Sequence, residues 1–425
     1  MSSHDIETVA RRSYGKLVAF LAARSGDVAA AEDALADAFA AALTDWPTSG
    51  VPRNREAWLM AVARRRLIDA VRRKRTSAQA APHLQLLAEE LAATPDNGEI
   101  ADNRLALMFA CAHPAIDPTI RAPLILQTIL GFDAATIASA FLVSPAAMGQ
   151  RLVRAKHKIR HAGIPLRVPA RAEMPERLDA VLAAIYAAFT SGWLDAARRN
   201  LAEEALWLAR LVVSLLADEP EALGLLALML HAEARRAARR GADGAYVTLA
   251  EQDTALWDAI MIEEAEAVLR RASAAQVIGR YQLEAAIQSA HAARRITGQT
   301  DWVAIEQLYA ALAAMTDSPV VAINRAIAIA EVRGADVGLA CLDTLSADRR
   351  VIDYQPYWAA RADLLARTGQ ARSADEAYQH AVGLESDPAV RAFLLQRKAA
   401  ATISSAAEGL ATTNTMTRIT ISSSG

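Results

Sequence analysis

Two clusters of basic residues are the parts of this sequence whose types and spacing point to chemistry. The first runs from Arg64 to Arg75 and holds seven Arg or Lys against a single acid, Asp69. The second comprises Gln150, Arg151, Arg154 and Lys158, at i, i+1, i+4 and i+8, which helical geometry brings close to one stripe. No acidic residue lies between Asp133 and Glu173, yet Arg151, Arg154, Lys156, Lys158, Arg160, Arg167 and Arg171 all do. Guanidinium groups present a planar fork of donors that fits phosphates and base edges, so both clusters read as surfaces for a polyanion. A merely solvated helix face is also basic. The excess of Arg over Lys in the first cluster favours nucleic acid, as does the turn and cap ahead of the second. Trp58 precedes Arg65 by about two helical turns, which puts an aromatic and a basic stripe in one region. A formal net charge of −2 hides these patches because acids gather later, for example at Glu263, Glu264 and Glu266.

Other chemistry has little support. There is no Gly-rich phosphate loop, no GxSxG and no HExxH, and the eight histidines are scattered, so no catalytic residue and no cofactor is expected. Glu32, Asp33 and Asp37 form an acidic set without histidine at ligand spacing. They suit a basic protein partner as well as a solvated face, and no metal is expected. Cys111 and Cys341 stand alone, which argues against a disulfide framework and for a reducing cytoplasm. No apolar run reaches the ~18 residues of a membrane span, and MSSHDIETVARRSYG lacks the apolar core of a secretory signal.

The elements that must position these residues are helices. Ala, Leu, Arg and Glu dominate, and 425 residues call for two or three domains. One helix is expected over 5–25. Asp27 caps a second that stops at Pro47, with Ala31, Leu35, Ala38, Phe39, Ala42 and Leu43 inward. Asn54 caps a third carrying Trp58, Leu59, Val62, Leu67, Ile68 and Val71 on its inner side. Residues 1–76 thus form one module, 77–101 a linker and 102–168 a second module. In the latter, ATIASAF, a short turn, and the Ser144-capped helix with Pro145 at its first position make a helix-turn-helix. Met148, Leu152, Ala155 and Ile159 are its packing face. From 175 to 400 helices follow one another, and YWAARADLLARTGQARSADEAYQHAVGL resembles a tetratricopeptide (TPR) unit. Residues 403–425 lose periodicity and read as a tail.

With these residues in order, the chain resembles the extracytoplasmic function (ECF) sigma factors of bacterial RNA polymerase, in the group with a long TPR-like C-terminal extension. AAEDALADAFAAALTDWP followed by NREAWLMAVARRRLIDAVRRKRT is similar to sigma region 2. TIASAFLVSPAAMGQRLVRAKHKIRHAGIP is similar to region 4, and DEPEALGLLALML and GRYQLEAAIQSAH to the extension. The resemblance implies an all-α fold, with two small helical sigma modules and a TPR-like helical-repeat domain. It implies a non-enzymatic transcription initiation factor whose partners are promoter DNA and core RNA polymerase, through its β′ clamp helices and β flap. Glu32, Asp33, Leu35, Ala38 and Phe39 match the polymerase-docking positions. Trp58, Arg64, Arg65, Asp69, Arg72 and Arg73 match those that open and read the −10 element. Gln150, Arg151, Arg154, Lys156 and Lys158 match the helix that enters the major groove at −35. A protein or peptide partner is expected for the extension, and no membrane. Two other readings remain open from the residues alone: a helix-turn-helix regulator that acts without polymerase, and a TPR scaffold.

Overall fold

The computed structural model describes residues 3–74, 100–141, 143–170, 172–194 and 199–401. The expected linker lies almost wholly, and the expected tail entirely, outside the described residues. Among those described, every regular element is a helix, apart from one isolated bridge between Arg240 and Tyr246. The chain divides into two compact units, Met1–Ala217 and Asp218–Gly425.

The first unit opens with α1 (Ser3–Ser25), α2 (Val28–Ser49) and α3 (Arg55–Lys74). Asp27 Oδ1 accepts the Ala30 N–H at 3.1 Å and starts α2; Asn54 Oδ1 accepts that of Ala57 at 3.0 Å and starts α3. Each satisfies a backbone donor that has no partner inside its helix. Leu17, Phe20 and Leu21 of α1, Leu35 and Ala38 of α2, and Leu59 and Leu67 of α3 fill the core between them. Pro47 does not end α2, contrary to the sequence expectation. So close to the C-terminus it removes one helical hydrogen bond, and the helix runs on to Ser49. Gly50, at φ +84°, stops it, and its N–H bonds to the Trp46 carbonyl at 3.1 Å.

The second module contributes α4 (Arg104–Cys111), α5 (Pro118–Leu130), α6 (Ala134–Ala140) and α7 (Pro145–His161). α8 (Met174–Leu194) and α9 (Arg199–Leu215) lie in this unit, whereas the sequence expectation places them at the start of the extension. Leu178, Val181, Leu182 and Ile185 are buried, and the buried Arg177 donates from Nη2 to the Phe109 carbonyl at 2.8 Å.

In the second unit α10 (Pro220–Ala234), α11 (Ala259–Ala274) and α12 (Arg280–Ala292) pack together. A Cβ on Gly224 would lie 2.6 Å from the Gln282 backbone nitrogen, so α10 meets α12 at backbone contact. Beside it, Glu221 accepts the N–H groups of Tyr281 at 2.9 Å and Gln282 at 3.2 Å. These residues belong to the segments DEPEALGLLALML and GRYQLEAAIQSAH. Toward the C-terminus, α13 (Arg294–Thr297), α14 (Trp302–Met315), α15 (Pro319–Arg333), α16 (Ala335–Asp343) and α17 (Arg349–Ile352) lead to the pair α18 (Gln355–Arg367) and α19 (Ala371–Leu384). These last two pack across a tight turn at Gly369, φ +73°, with Ala362, Ala374, Ala377 and Tyr378 buried between them.

Candidate nucleic-acid interface

α7 carries the second basic cluster. Ser144 Oγ accepts the Ala147 N–H at 3.3 Å, and Pro145 occupies the first position, where its missing N–H costs nothing. Met148, Leu152, Ala155 and Ile159 are all buried, which fixes the helix against α6 and α5. The opposite side is thereby turned outward. Gln150, Arg151, Arg154 and Lys158 are exposed, and Arg154 Nη2 donates to Gln150 Oε1 at 3.3 Å, coupling an amide and a guanidinium across one turn. α6 begins at Asp133, whose carboxylate accepts the Thr136 N–H at 2.8 Å. A short turn closed by the Val143 N–H on the Ala138 carbonyl at 3.1 Å connects the two helices. Helix, tight turn and outward basic helix thus follow one another in the order that the sequence leads one to expect.

Lys156 departs from its expected place on this stripe. It points to the other side of α7, where its Nζ lies 2.6 Å from Glu32 Oε2 of α2, and both side chains are only 11% exposed. Arg160, one turn on, pairs with Asp27 at 2.9 Å. Positions 156 and 160 face α2 because the buried stripe at 148, 152, 155 and 159 sets the rotation of the helix. In this structure Lys156 is therefore an inter-helix contact and not an open groove contact.

The first cluster is divided in a similar way. Arg65 and Arg66 of α3 are exposed. Arg64 is half-buried, with its guanidinium carbon 5.5 Å from the Phe20 ring centroid, while Arg24 covers the same ring at 3.8 Å. Trp58 is half-buried edge-on to Trp46, with centroids 5.5 Å apart, and Asp69 is half-buried. The side chains of Arg72 and Arg73 lie outside the described residues. Ser13 Oγ donates to Glu56 at 2.6 Å and ties the start of α3 to α1.

On α2 the five expected docking residues do not share one surface. Leu35 and Ala38 are wholly buried in the bundle core, Phe39 is half-buried and Asp33 is exposed. Leu35 and Ala38, which the sequence puts on the inner stripe and the resemblance puts among the docking positions, lie in the core here, and a stripe that faces α1 is closed to a partner in this structure. The free face holds Asp33, Asp37 and Leu43 instead, and Leu43, expected inward, is 52% exposed. Helical periodicity marks the apolar stripe but not its width, so Leu43 could be found only once both neighbours of α2 were placed.

A model of sigma-70 region 2 matches residues 9–76, the span from within α1 to just past α3. A family of unknown function, DUF6596, matches residues 177–273, from α8 in the first unit to α11 in the second. Uncharacterized protein R00370 of Rhizobium meliloti (strain 1021) is 38% identical over 375 residues, covering 86% of this chain and 88% of the relative. The chain belongs to that protein's family, and its first module is a sigma-70 region 2. No solved structure matches it.

Region 2 is packed directly on the second module. Besides the two ion pairs, α1 meets α5 so closely that a Cβ on Gly15 would lie 2.1 Å from the Ile129 carbonyl oxygen. The Tyr14 hydroxyl behind this contact is raised well above the usual phenol range, by burial first and then by the charges of Glu32 and Asp33. The buried Cys111 thiol, in hydrogen-bond contact with Thr128 Oγ1 at 3.5 Å, is pushed up to about 12 by that burial. Among the described residues no group of three potential ligands could hold a metal ion, and no helix is long and apolar enough to cross a membrane.

Proposed function

We propose that the protein is a sigma factor of the ECF type, which directs core RNA polymerase to promoters. The observation that carries this reading is the order of two surfaces: a sigma-70 region 2 with a basic α3, followed by a capped helix whose outer side offers Gln150, Arg151, Arg154 and Lys158. The exposed face of α2, with Asp33, Asp37 and Leu43, docks on a basic and apolar polymerase surface such as the β′ clamp helices. α3 captures non-template bases as the −10 element unstacks, using Trp58 and its arginines. The outer side of α7 enters the major groove at −35, where Arg and Gln forks distinguish base pairs. Opening DNA costs roughly 1–2 kcal/mol per base-pair step, so single-strand capture by region 2 is what makes melting favourable. The second unit, with TPR-like pairs such as α18 and α19, sets how readily the first unit acts.

Promoter-specific run-off transcription by core polymerase with and without the full chain tests the reading. Initiation at a discrete start site supports it. Duplex binding without any polymerase-dependent transcript would leave a helix-turn-helix regulator as the better account. Removing residues 218–425, the second unit alone, tests the regulatory part through promoter output, since α8 and α9 belong to the first unit.

A further inference from the structure

The contact between region 2 and the helix-turn-helix module combines a tight steric fit with unfavourable electrostatics. Glycine at position 15 is required by the approach of α1 to the Ile129 carbonyl, and the Tyr14 ring lies 3.1 Å from where a Cβ on Gly131 would sit. The fit is thus specific to one register of the two modules. The buried pair beside it is different in kind. Lys156 satisfies Glu32 Oε2 at 2.6 Å, but Glu32 Oε1 is buried with no hydrogen-bond partner. Burial raises the Glu32 carboxyl above its ordinary range, and the opposing attraction of Lys156 does not cancel that effect. Parting the modules would return both charges to water, so the electrostatic part of the seam resists opening only weakly.

We propose that this seam is an autoinhibitory closure: while Lys156 and Arg160 cover Glu32 and Asp27, these two acids at the start of α2 are withheld from polymerase although Asp33, Asp37 and Leu43 stay exposed, and parting of the seam completes the docking surface. The closure rests on the sigma reading above and supplies its regulation. It acts on one partner only. Arg151, Arg154 and Lys158 stay exposed on the far side of α7, so closed protein retains its duplex-facing stripe while region 2 is incompletely available.

The test uses the full chain with spin labels on Thr44→Cys and Val153→Cys, both exposed, in a Cys341→Ser background that leaves only the buried Cys111. Inter-label distances are measured in free protein, and affinity for core polymerase is measured on the same samples. The wild-type seam should give one narrow distance. Lys156→Glu and Gly15→Leu should give longer, broader distributions and bind core polymerase about fivefold or more tightly, since apparent affinity scales with the open fraction. Arg160→Glu, at the more exposed pair, provides a third opening variant if either of the others loses helicity. Unchanged distances in folded variants would overturn the closure. Opened distances with unchanged polymerase affinity would overturn its inhibitory role. Opened distances with no polymerase binding by any form, wild type included, would overturn the sigma reading and the gate with it while leaving the seam itself in place.

Discussion

The molecule joins helices by glycine and glutamate in two places, and the two joints differ in how the carboxylate is used. In the second unit Gly224 lets α10 touch α12, and Glu221 takes the backbone N–H groups of Tyr281 and Gln282 as well as the Gln282 amide at 3.3 Å. It thereby serves donors at the start of α12 that the helix itself cannot satisfy. In the first unit Gly15 lets α1 touch α5, but Glu32 has one partner, Lys156, and one buried oxygen with none. A carboxylate that completes backbone donors makes a permanent joint. One that must lose water for a single ammonium makes a joint that can part. The same two residue types thus give rigidity in one unit and a poised contact in the other.

The strongest way to break this comparison is to damage the permanent joint. Gly224→Val forces a branched side chain toward the Gln282 backbone, and overpacking of that kind costs about 1–3 kcal/mol or more. Glu221→Ala removes charge-assisted bonds worth about 1.5–3 kcal/mol each and leaves backbone donors of Tyr281 and Gln282 unpaired. The double variant should lose about 4 kcal/mol or more of second-unit stability in denaturant titration. Loss of less than about 1 kcal/mol would mean that the two joints are equivalent.

The poised joint should respond differently. Lys156→Met leaves Glu32 buried without a partner and should cost about 2–4 kcal/mol of first-unit stability. Adding Glu32→Leu removes the remaining charge, and the double variant should return to within about 1 kcal/mol of wild type or exceed it. A double variant as unstable as the single one would show that the ion pair contributes net stability and that the seam is a permanent joint too.

A third contrast lies between the two sides of α7. Arg154→Ala removes a fork from the exposed side and should lower transcription from a −35-dependent promoter about tenfold, the equivalent of ~1.4 kcal/mol. The stability of the first unit should stay within about 0.5 kcal/mol. Unchanged output from such a promoter would remove Arg154 from the groove contact.

Much of this arrangement is legible in the sequence. Asp27, Asn54 and Ser144 announce three helix starts because capping is local chemistry, and the stripe Met148, Leu152, Ala155 and Ile159 is readable because burial follows the helical period. The resemblance to region 2 rests on α2 and α3 and agrees with the family match over 9–76. What the sequence leaves open depends on contacts between distant segments. Glu32 and Lys156 are 124 positions apart, and nothing local distinguishes Lys156, turned toward α2, from Lys158, turned to solvent. The end of the first unit at Ala217 is hidden for the same reason, since α8 is one more alanine-rich helix until Arg177 is seen bonded to Phe109.

The smallest expected effect is a difference in how the two units respond to acid. His231 and His291 in the second unit are lowered to about 4, by burial first and then by Arg235, with Arg294 also acting on His291. A histidine whose folded value lies below its unfolded one, near 6.5, stabilises the fold fully above that value. Its contribution is lost as pH falls from there toward about 4. Glu32 has the opposite sign. Its raised carboxyl favours the fold below its unfolded value, near 4.5, and that contribution fades as pH rises through the folded value. Comparing each unit's stability at pH 5 and pH 7 should therefore show His231→Leu reducing the acid sensitivity of the second unit. Glu32→Gln should remove from the first unit a component that weakens as pH rises. If both substitutions leave their pH slopes unchanged, burial of these two groups does not set the acid response of either unit, and the contrast between the joints would rest on the hydrogen bonds of Glu221 alone.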